Sequence, residues 1–224
     1  MSDILLRKGI YQAFSTNGDV TADERWRLIS TLDKGVRIDT DAVRISPFAE
    51  PRDESFNLEL NPHFEHRRSM VLALNRSREV RMDFHPGSAA ICWRISETSR
   101  TLNYAWTSDC EIGYNSPLFI TVVLWRHPLK TGQSALLRVA QLDAISLEPT
   151  WVKLVITNVA IEQHKTRFGL MELTRYKLET EDRCIDHCWC DQDGIVFDYW
   201  SSDPTDNASC LHGGFTLVAV NFPN

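Results

Sequence analysis

Apolar and polar residues alternate over short spans through most of the chain. Val36-Arg37-Ile38, Phe56-Asn57-Leu58-Glu59-Leu60, Val80-Arg81-Met82-Asp83-Phe84 and Thr216 to Phe222 all carry this pattern, with β-branched and aromatic residues prominent. Successive side chains of an extended chain point to opposite sides, so the pattern predicts strands with one face to bury. Turn residues interrupt it at short intervals, at Asn17-Gly18-Asp19, Asn61-Pro62, His85-Pro86-Gly87, Asn115-Ser116-Pro117, Lys130-Thr131-Gly132 and Asp191-Gln192-Asp193-Gly194. This spacing predicts a mainly β, single-domain antiparallel β-roll or barrel-like fold with roughly a dozen strands or more and one or two short helices.

The clearest hairpin joins Cys184 to Cys190 with Ile195 to Trp200 through Asp191-Gln192-Asp193-Gly194, where Gly194 suits a positive-φ position. A long β region runs from Trp151 to Val159 and resumes from Gly169 through Leu178. Two segments fit both helix and strand. Thr21-Ala22-Asp23-Glu24 is a capping box followed by Trp26, Ile29 and Leu32 at helical spacing and closed by Lys34-Gly35, yet Trp26, Leu28, Ser30 and Leu32 also alternate. Ser134 to Ala144 shares the ambiguity.

The 224 residues suffice for one β domain over 1–224, and no low-complexity segment interrupts it. Net charge is −6 and basic residues are scattered, with Arg67-Arg68 the one notable doublet, so no nucleic-acid partner is expected. The N-terminal residues lack the pattern of a secretory signal, and the longest apolar stretch, Leu118 to Trp125, is too short to span a bilayer. A cytoplasmic location is expected, in which the six cysteines remain thiols. No cofactor is expected, because phosphate-loop, dinucleotide, nucleophile-elbow and zinc-helix motifs are absent.

Three constellations carry possible chemistry. Trp93, Tyr104, Trp106, Tyr114, Phe119 and Trp125 surround the run Thr107-Ser108-Asp109-Cys110-Glu111. Aromatic walls with a few polar groups describe a ligand pocket, and a carboxyl there would have a raised pKa suited to acid or base work by Asp109 or Glu111. The competing reading is an ordinary aromatic core beside a solvated turn. Asp198-Tyr199-Trp200 offers a phenol beside a carboxylate, able to support a developing oxyanion or to make a structural bond. Cys184, His187, Cys188, Cys190, Cys210 and His212 include zinc-ligand types, but the cysteines of one strand share a face that His187 does not, so no metal is expected. His63 and His66, which flank Phe64, are expected at the surface.

From Leu170 to Trp200, the run Leu173-Thr174-Arg175-Tyr176-Lys177-Leu178, a polar gap, and Trp189 through Asp191-Gln192-Asp193-Gly194-Ile195-Val196-Phe197-Asp198-Tyr199 resembles the C-terminal part of spiral β-roll proteins, among them bacterial glycolipid-binding proteins. The Pro-Gly usual after that Tyr is replaced here by Trp200-Ser201-Ser202. The resemblance implies a curled sheet around a cavity for an apolar or amphipathic ligand, and it carries no catalytic residue.

Together these readings predict binding of an apolar or amphipathic small molecule in a central aromatic-lined cavity, with Trp93, Tyr104, Trp106, Tyr114, Trp125 and Trp189 as its walls. The catalytic version is a cofactor-independent cyclase, isomerase or hydratase of specialised metabolism using Asp109, Glu111, Asp198 and Tyr199. The alternative is a carrier or sensor of a lipid-like ligand. A homodimer is compatible with either.

Overall fold

The computed structural model describes residues 3–15, 17–45, 52–73, 77–95, 97–144, 146–181, 185–201 and 213–221. In chain order they form β1 (Ile4–Ser15), β2 (Val20–Ser30), β3 (Val36–Arg44), β4 (Arg52–Leu60), β5 (His66–Ala73), β6 (Arg78–His85), β7 (Ser88–Ile95), β8 (Thr98–Ala105), β9 (Cys110–Gly113), α1 (Pro117–Arg126), β10 (Ser134–Leu142), β11 (Pro149–Thr166), β12 (Gly169–Thr180), β13 (Ile185–Cys190), β14 (Val196–Ser201) and β15 (Gly213–Asn221). The alternating segments fall in β3, β4, β6 and β15, with Phe222 outside the described residues.

All fifteen strands join one sheet in the order β8-β7-β6-β5-β4-β3-β2-β1-β15-β14-β13-β12-β11-β10-β9. Among the described residues sequence neighbours therefore pair throughout, except that β1 lies beside β15 and that β8 and β9 form two unpaired edges. Every pairing is antiparallel save β9 with β10. The sheet makes a circuit that stops short of a closed barrel. Its two ends are bridged by rings: Tyr104 of β8 and Trp106 just beyond it meet Trp151 of β11 at 5.6 and 5.8 Å between centroids.

One helix lies inside the curl, and it belongs to neither ambiguous segment. In β2 the even positions Ala22, Glu24, Trp26 and Leu28 are buried while Arg25 and Arg27 are exposed, and in β10 Leu137 and Val139 are buried while Leu136 is exposed. Neighbouring strands on both sides satisfy these backbones, which decides the ambiguity. The helix instead comes from the apolar run. Ser116 caps it by accepting from the Leu118 N–H at 3.3 Å, Pro117 opens it, and Leu118, Phe119, Val122, Val123 and Leu124 are all buried. A helix apolar on every side must be enclosed. Phe119 packs on Phe56 of β4 at 4.8 Å, while Val123 and Leu124 join a cluster with Leu137, Leu154, Ile156 and Cys188 from the other half of the sheet.

The predicted hairpin forms between β13 and β14, Cys184 lying outside the described residues. The Asp191 carboxylate accepts from the backbone N–H of Asp193 and Ile195 at 3.0 and 2.9 Å, and Gly194 takes φ +76°. The loop from β4 to β5 repeats this device: Asn61 accepts from the N–H of His63 and Glu65, and Phe64 takes φ +59°. Trp125, at the end of α1, sits between the two turns, with its ring 5.5 Å from that of Phe64 and its indole N–H donating to the Asp193 carbonyl at 2.7 Å.

Candidate functional site

Both ends of α1 are tied to buried carboxylates. At its start the Ser116 hydroxyl donates to Glu24 at 2.6 Å, the Tyr114 hydroxyl donates to Glu54 at 2.9 Å, and the Arg44 guanidinium bonds Glu54 and the Asn115 carbonyl while its other side lies 3.9 Å from Glu24. One cation cannot fully compensate two carboxylates out of water. Burial pushes Glu24 up to about 7, although Arg44 and Ser116 pull it down.

At the end of α1, Glu111 receives bonds from His66 at 3.0 Å, from His127 at 2.6 Å and from Arg126. Burial raises its pKa, but the bonds from His127 and His66 and the Arg126 charge outweigh it and hold the carboxyl at about 2. Burial also lowers the pKa of His66, whose Nδ1 has no hydrogen-bond partner among the described residues. His66 is therefore the neutral tautomer with the proton on Nε2, since an imidazolium would bury an unpaired N–H. Arg126 supplies the balancing charge.

A third polar cluster lies partly open to solvent. Ala160, Arg175, Trp189, Asp198 and Thr216 stand side by side in one row across β11 to β15. A bulge between Asn158 and Ala160 bends the β11–β12 hairpin over this row. His164 thereby stacks on Trp189, with centroids 4.3 Å apart and planes 14° apart, and its Nε2 lies 2.8 Å from Asp198. The Trp189 indole N–H donates to Glu162 at 2.8 Å, and Arg175 approaches the same carboxylate at 3.4 Å. Burial raises the Asp198 pKa against the pull of Thr216 and His164.

The sequence-predicted residues are spread over separate places. Asp109 lies in the turn before β9, bonded by the Thr107 hydroxyl, and its pKa is lowered, as is that of Glu111, the reverse of the raised values expected. Asp198 and Tyr199 are successive strand residues and face opposite ways: Asp198 meets His164, whereas Tyr199 donates to Asp186 on the inner side, and burial pushes its phenol well above its usual pKa. Trp93 packs under Arg100 and Tyr114 against Phe119. Trp106 gathers with Phe84, His66 and Trp151. Trp93, Trp106 and Tyr114 belong to one buried apolar cluster that also takes in Leu118, Phe119 and Val122 of α1, and Tyr104, Trp125 and Trp189 pack against it. The aromatic-core reading describes most of them.

His63 is exposed as expected, but His66 is buried against Glu111, a partner 45 residues away on another strand that no local spacing announces. Cys188 and Cys190 are buried with sulfurs 4.0 Å apart while His187 turns away toward Trp189, and Cys184, Cys210 and His212 lie outside the described residues. Among the described residues no group of three or more His, Cys, Asp or Glu side chains is arranged so that it could hold a metal ion. Sequence reasoning missed Glu162, His164 and Arg175; Arg175 is the cross-strand neighbour of Trp189, whereas Glu162 and His164 lie beyond the bulge in β11.

A groove of about 490 Å³ opens on the outer surface beside β1, lined by Lys8, Arg25, Arg27, Asp41, Val220 and Asn221 among others. None of Asp109, Glu111, Asp198 and Tyr199 lines it.

No curated protein matches the chain. Among solved structures, a DUF1089 family protein from Pseudomonas aeruginosa superposes with a TM-score of 0.58 at 18% identity, over 80% of this chain and 89% of that one. A β-barrel-like protein of DUF1849 from Brucella abortus gives 0.62 at 8% identity over 100% of each chain. Both likenesses concern the fold. A family model matches residues 19–202, from the turn before β2 past the end of β14, and so takes in the carboxylates of all three polar clusters. The chain belongs to the family described as "Putative glycolipid-binding".

Proposed function

We propose that the protein is a non-catalytic binder of a glycolipid-like amphiphile, and that Trp189, Asp198, His164, Glu162 and Arg175 form the site for its sugar headgroup. The observation that supports this most is the chemistry of that cluster. Two carboxylates, a guanidinium, an imidazole and an indole converge within a few ångströms at a half-open position, where sugar hydroxyls find both donors and acceptors beside an aromatic surface. Phe168, exposed in the turn of the same hairpin, offers apolar contact for a lipid tail. All five cluster residues fall inside the matched range 19–202, whereas Lys8, Val220 and Asn221 of the outer groove fall outside it.

The carrier reading is favoured over the cyclase, isomerase or hydratase reading because Asp109, Glu111, Asp198 and Tyr199 do not converge on a common point. Glu111 is also a fixed counter-ion at the end of α1.

Calorimetric titration with an alkyl glycoside below its micelle concentration tests the proposal. Trp189→Ala and Asp198→Asn are each expected to weaken binding by about tenfold or more, the scale of one lost hydrogen bond to a charged group. Unchanged affinity in both variants, or chemical conversion of the glycoside during the titration, would overturn it.

A further inference from the structure

The β11–β12 hairpin projects past both of its neighbours. β10 pairs with β11 only as far as Thr157, and β13 pairs with β12 only as far as Thr174, so 158–173 has no strand beside either edge among the described residues. One face of this overhang folds onto the sheet, with Leu173 buried and the Phe168 and Phe197 rings 5.8 Å apart. The register puts Ile161, Gln163, Lys165, Leu170, Glu172 and Thr174 on the other face.

That outer face is unusual for a solvated strand pair. Leu170 is 69% exposed and Ile161 61%, and Phe168, 44% exposed, stands in the turn. Lys165 sits directly across from Leu170, and Arg167 is beside Phe168 in the turn. Neither cation has an ion pair among the described residues, and the acid on this face, Glu172, lies further from the tip. Apolar side chains flanked by uncompensated cations are the chemistry of a surface that rests at the boundary of an anionic bilayer, with the apolar groups reaching the acyl chains and the cations the headgroups.

We propose that the outer face and tip of the β11–β12 hairpin dock on an anionic lipid bilayer through Ile161, Phe168 and Leu170 together with Lys165 and Arg167. Docking there would bring the Trp189–His164 cluster, held under the same hairpin, to the membrane in which an amphiphile resides. This goes beyond the headgroup reading and does not depend on it.

Co-sedimentation of the full chain with vesicles of phosphatidylcholine, and of phosphatidylcholine mixed with phosphatidylglycerol, is the test. The protein should pellet with the mixed vesicles, less so as salt is raised, and stay in solution with phosphatidylcholine alone. Lys165→Glu/Arg167→Glu should weaken the association by about thirtyfold or more, at roughly 1 kcal/mol for each basic residue near such a surface. Ile161→Ser/Leu170→Ser should weaken it to a similar extent, with the thermal unfolding of both double variants unchanged because the replaced side chains are exposed. Neither vesicle contains a glycolipid, so pelleting reports docking of the hairpin alone, which separates this proposal from the headgroup site. Failure of the parent to pellet with the mixed vesicles would overturn the proposal. So would loss in one double variant only, since charge and apolar contact are claimed to act together.

Discussion

Glu24 and Glu111 are both buried beside α1, yet their environments drive them in opposite directions. Glu24 rises to about 7, so the folded state holds its proton more tightly than the unfolded chain does. Its contribution is complete below the ordinary carboxylate pKa and is lost as pH rises toward 7. Glu111 falls to about 2, so its contribution is present above the ordinary value and is lost as pH drops through 2. The two together place the most stable pH near the ordinary carboxylate pKa of about 4.5, where the Glu24 contribution has not yet begun to fall and that of Glu111 is complete. Thermal unfolding across pH should show a decline from pH 5.5 to pH 8 that Glu24→Gln flattens, because the amide does not ionise. Glu111→Gln should destabilise the protein at both pH values by about 3–5 kcal/mol, since it leaves Arg126 buried without its counter-charge. A pH profile of Glu24→Gln that parallels the parent would contradict the assignment.

At the scale of the element, α1 depends on the two turns that hold Trp125. A Cβ on Gly194 would lie 3.1 Å from the Trp125 indole nitrogen, and the residue's φ of +76° disfavours any branched side chain. Gly194→Val is expected to cost about 2 kcal/mol or more in backbone strain and displaced indole, seen as a melting temperature lower by roughly 4–8 °C. A melt within a degree of the parent would mean that the turn does not position the helix. How far this helix and its surroundings could be read in advance follows from the residues themselves. Alternation located β3, β4, β6 and the β13–β14 hairpin because each buries one face. Leu118 to Leu124 gave no helical stripe, since every side of α1 is covered, and Ser116-Pro117 reads equally as a turn. Thr21-x-x-Glu24 imitated a capping box because Glu24 is acidic for another reason, its bond to Ser116 across the core. In the site, the opposite facing of Asp198 and Tyr199 follows from strand geometry alone. The meeting of His164 with Trp189 required the bulge at Val159, which no local pattern marks.

On the scale of the whole molecule, the open seam is managed by composition. The β8 edge carries Thr98, Ser99, Arg100, Thr101 and Asn103, polar residues that discourage pairing with another sheet, while β9 is only four residues long and wholly buried. The circuit itself imposes an order in time. Each half is a meander whose pairings are local, but the halves meet where β1 lies beside β15, and Lys8 faces Asn221 across nearly the whole length of the chain. Search for that pairing, with its large loop to close, is the slow event expected in folding. Joining residue 224 to residue 1 by a short linker and opening the chain between Ser108 and Asp109, in the exposed turn between β8 and β9, would convert the β1–β15 pairing into a hairpin and leave every strand beside a sequence neighbour. Stopped-flow refolding followed by tryptophan fluorescence should be faster for that permuted chain than for the parent, and an equal or slower rate would place the barrier elsewhere. The gap that keeps this sheet from being a barrel is thus also the place where its chain can be reopened to shorten its own search.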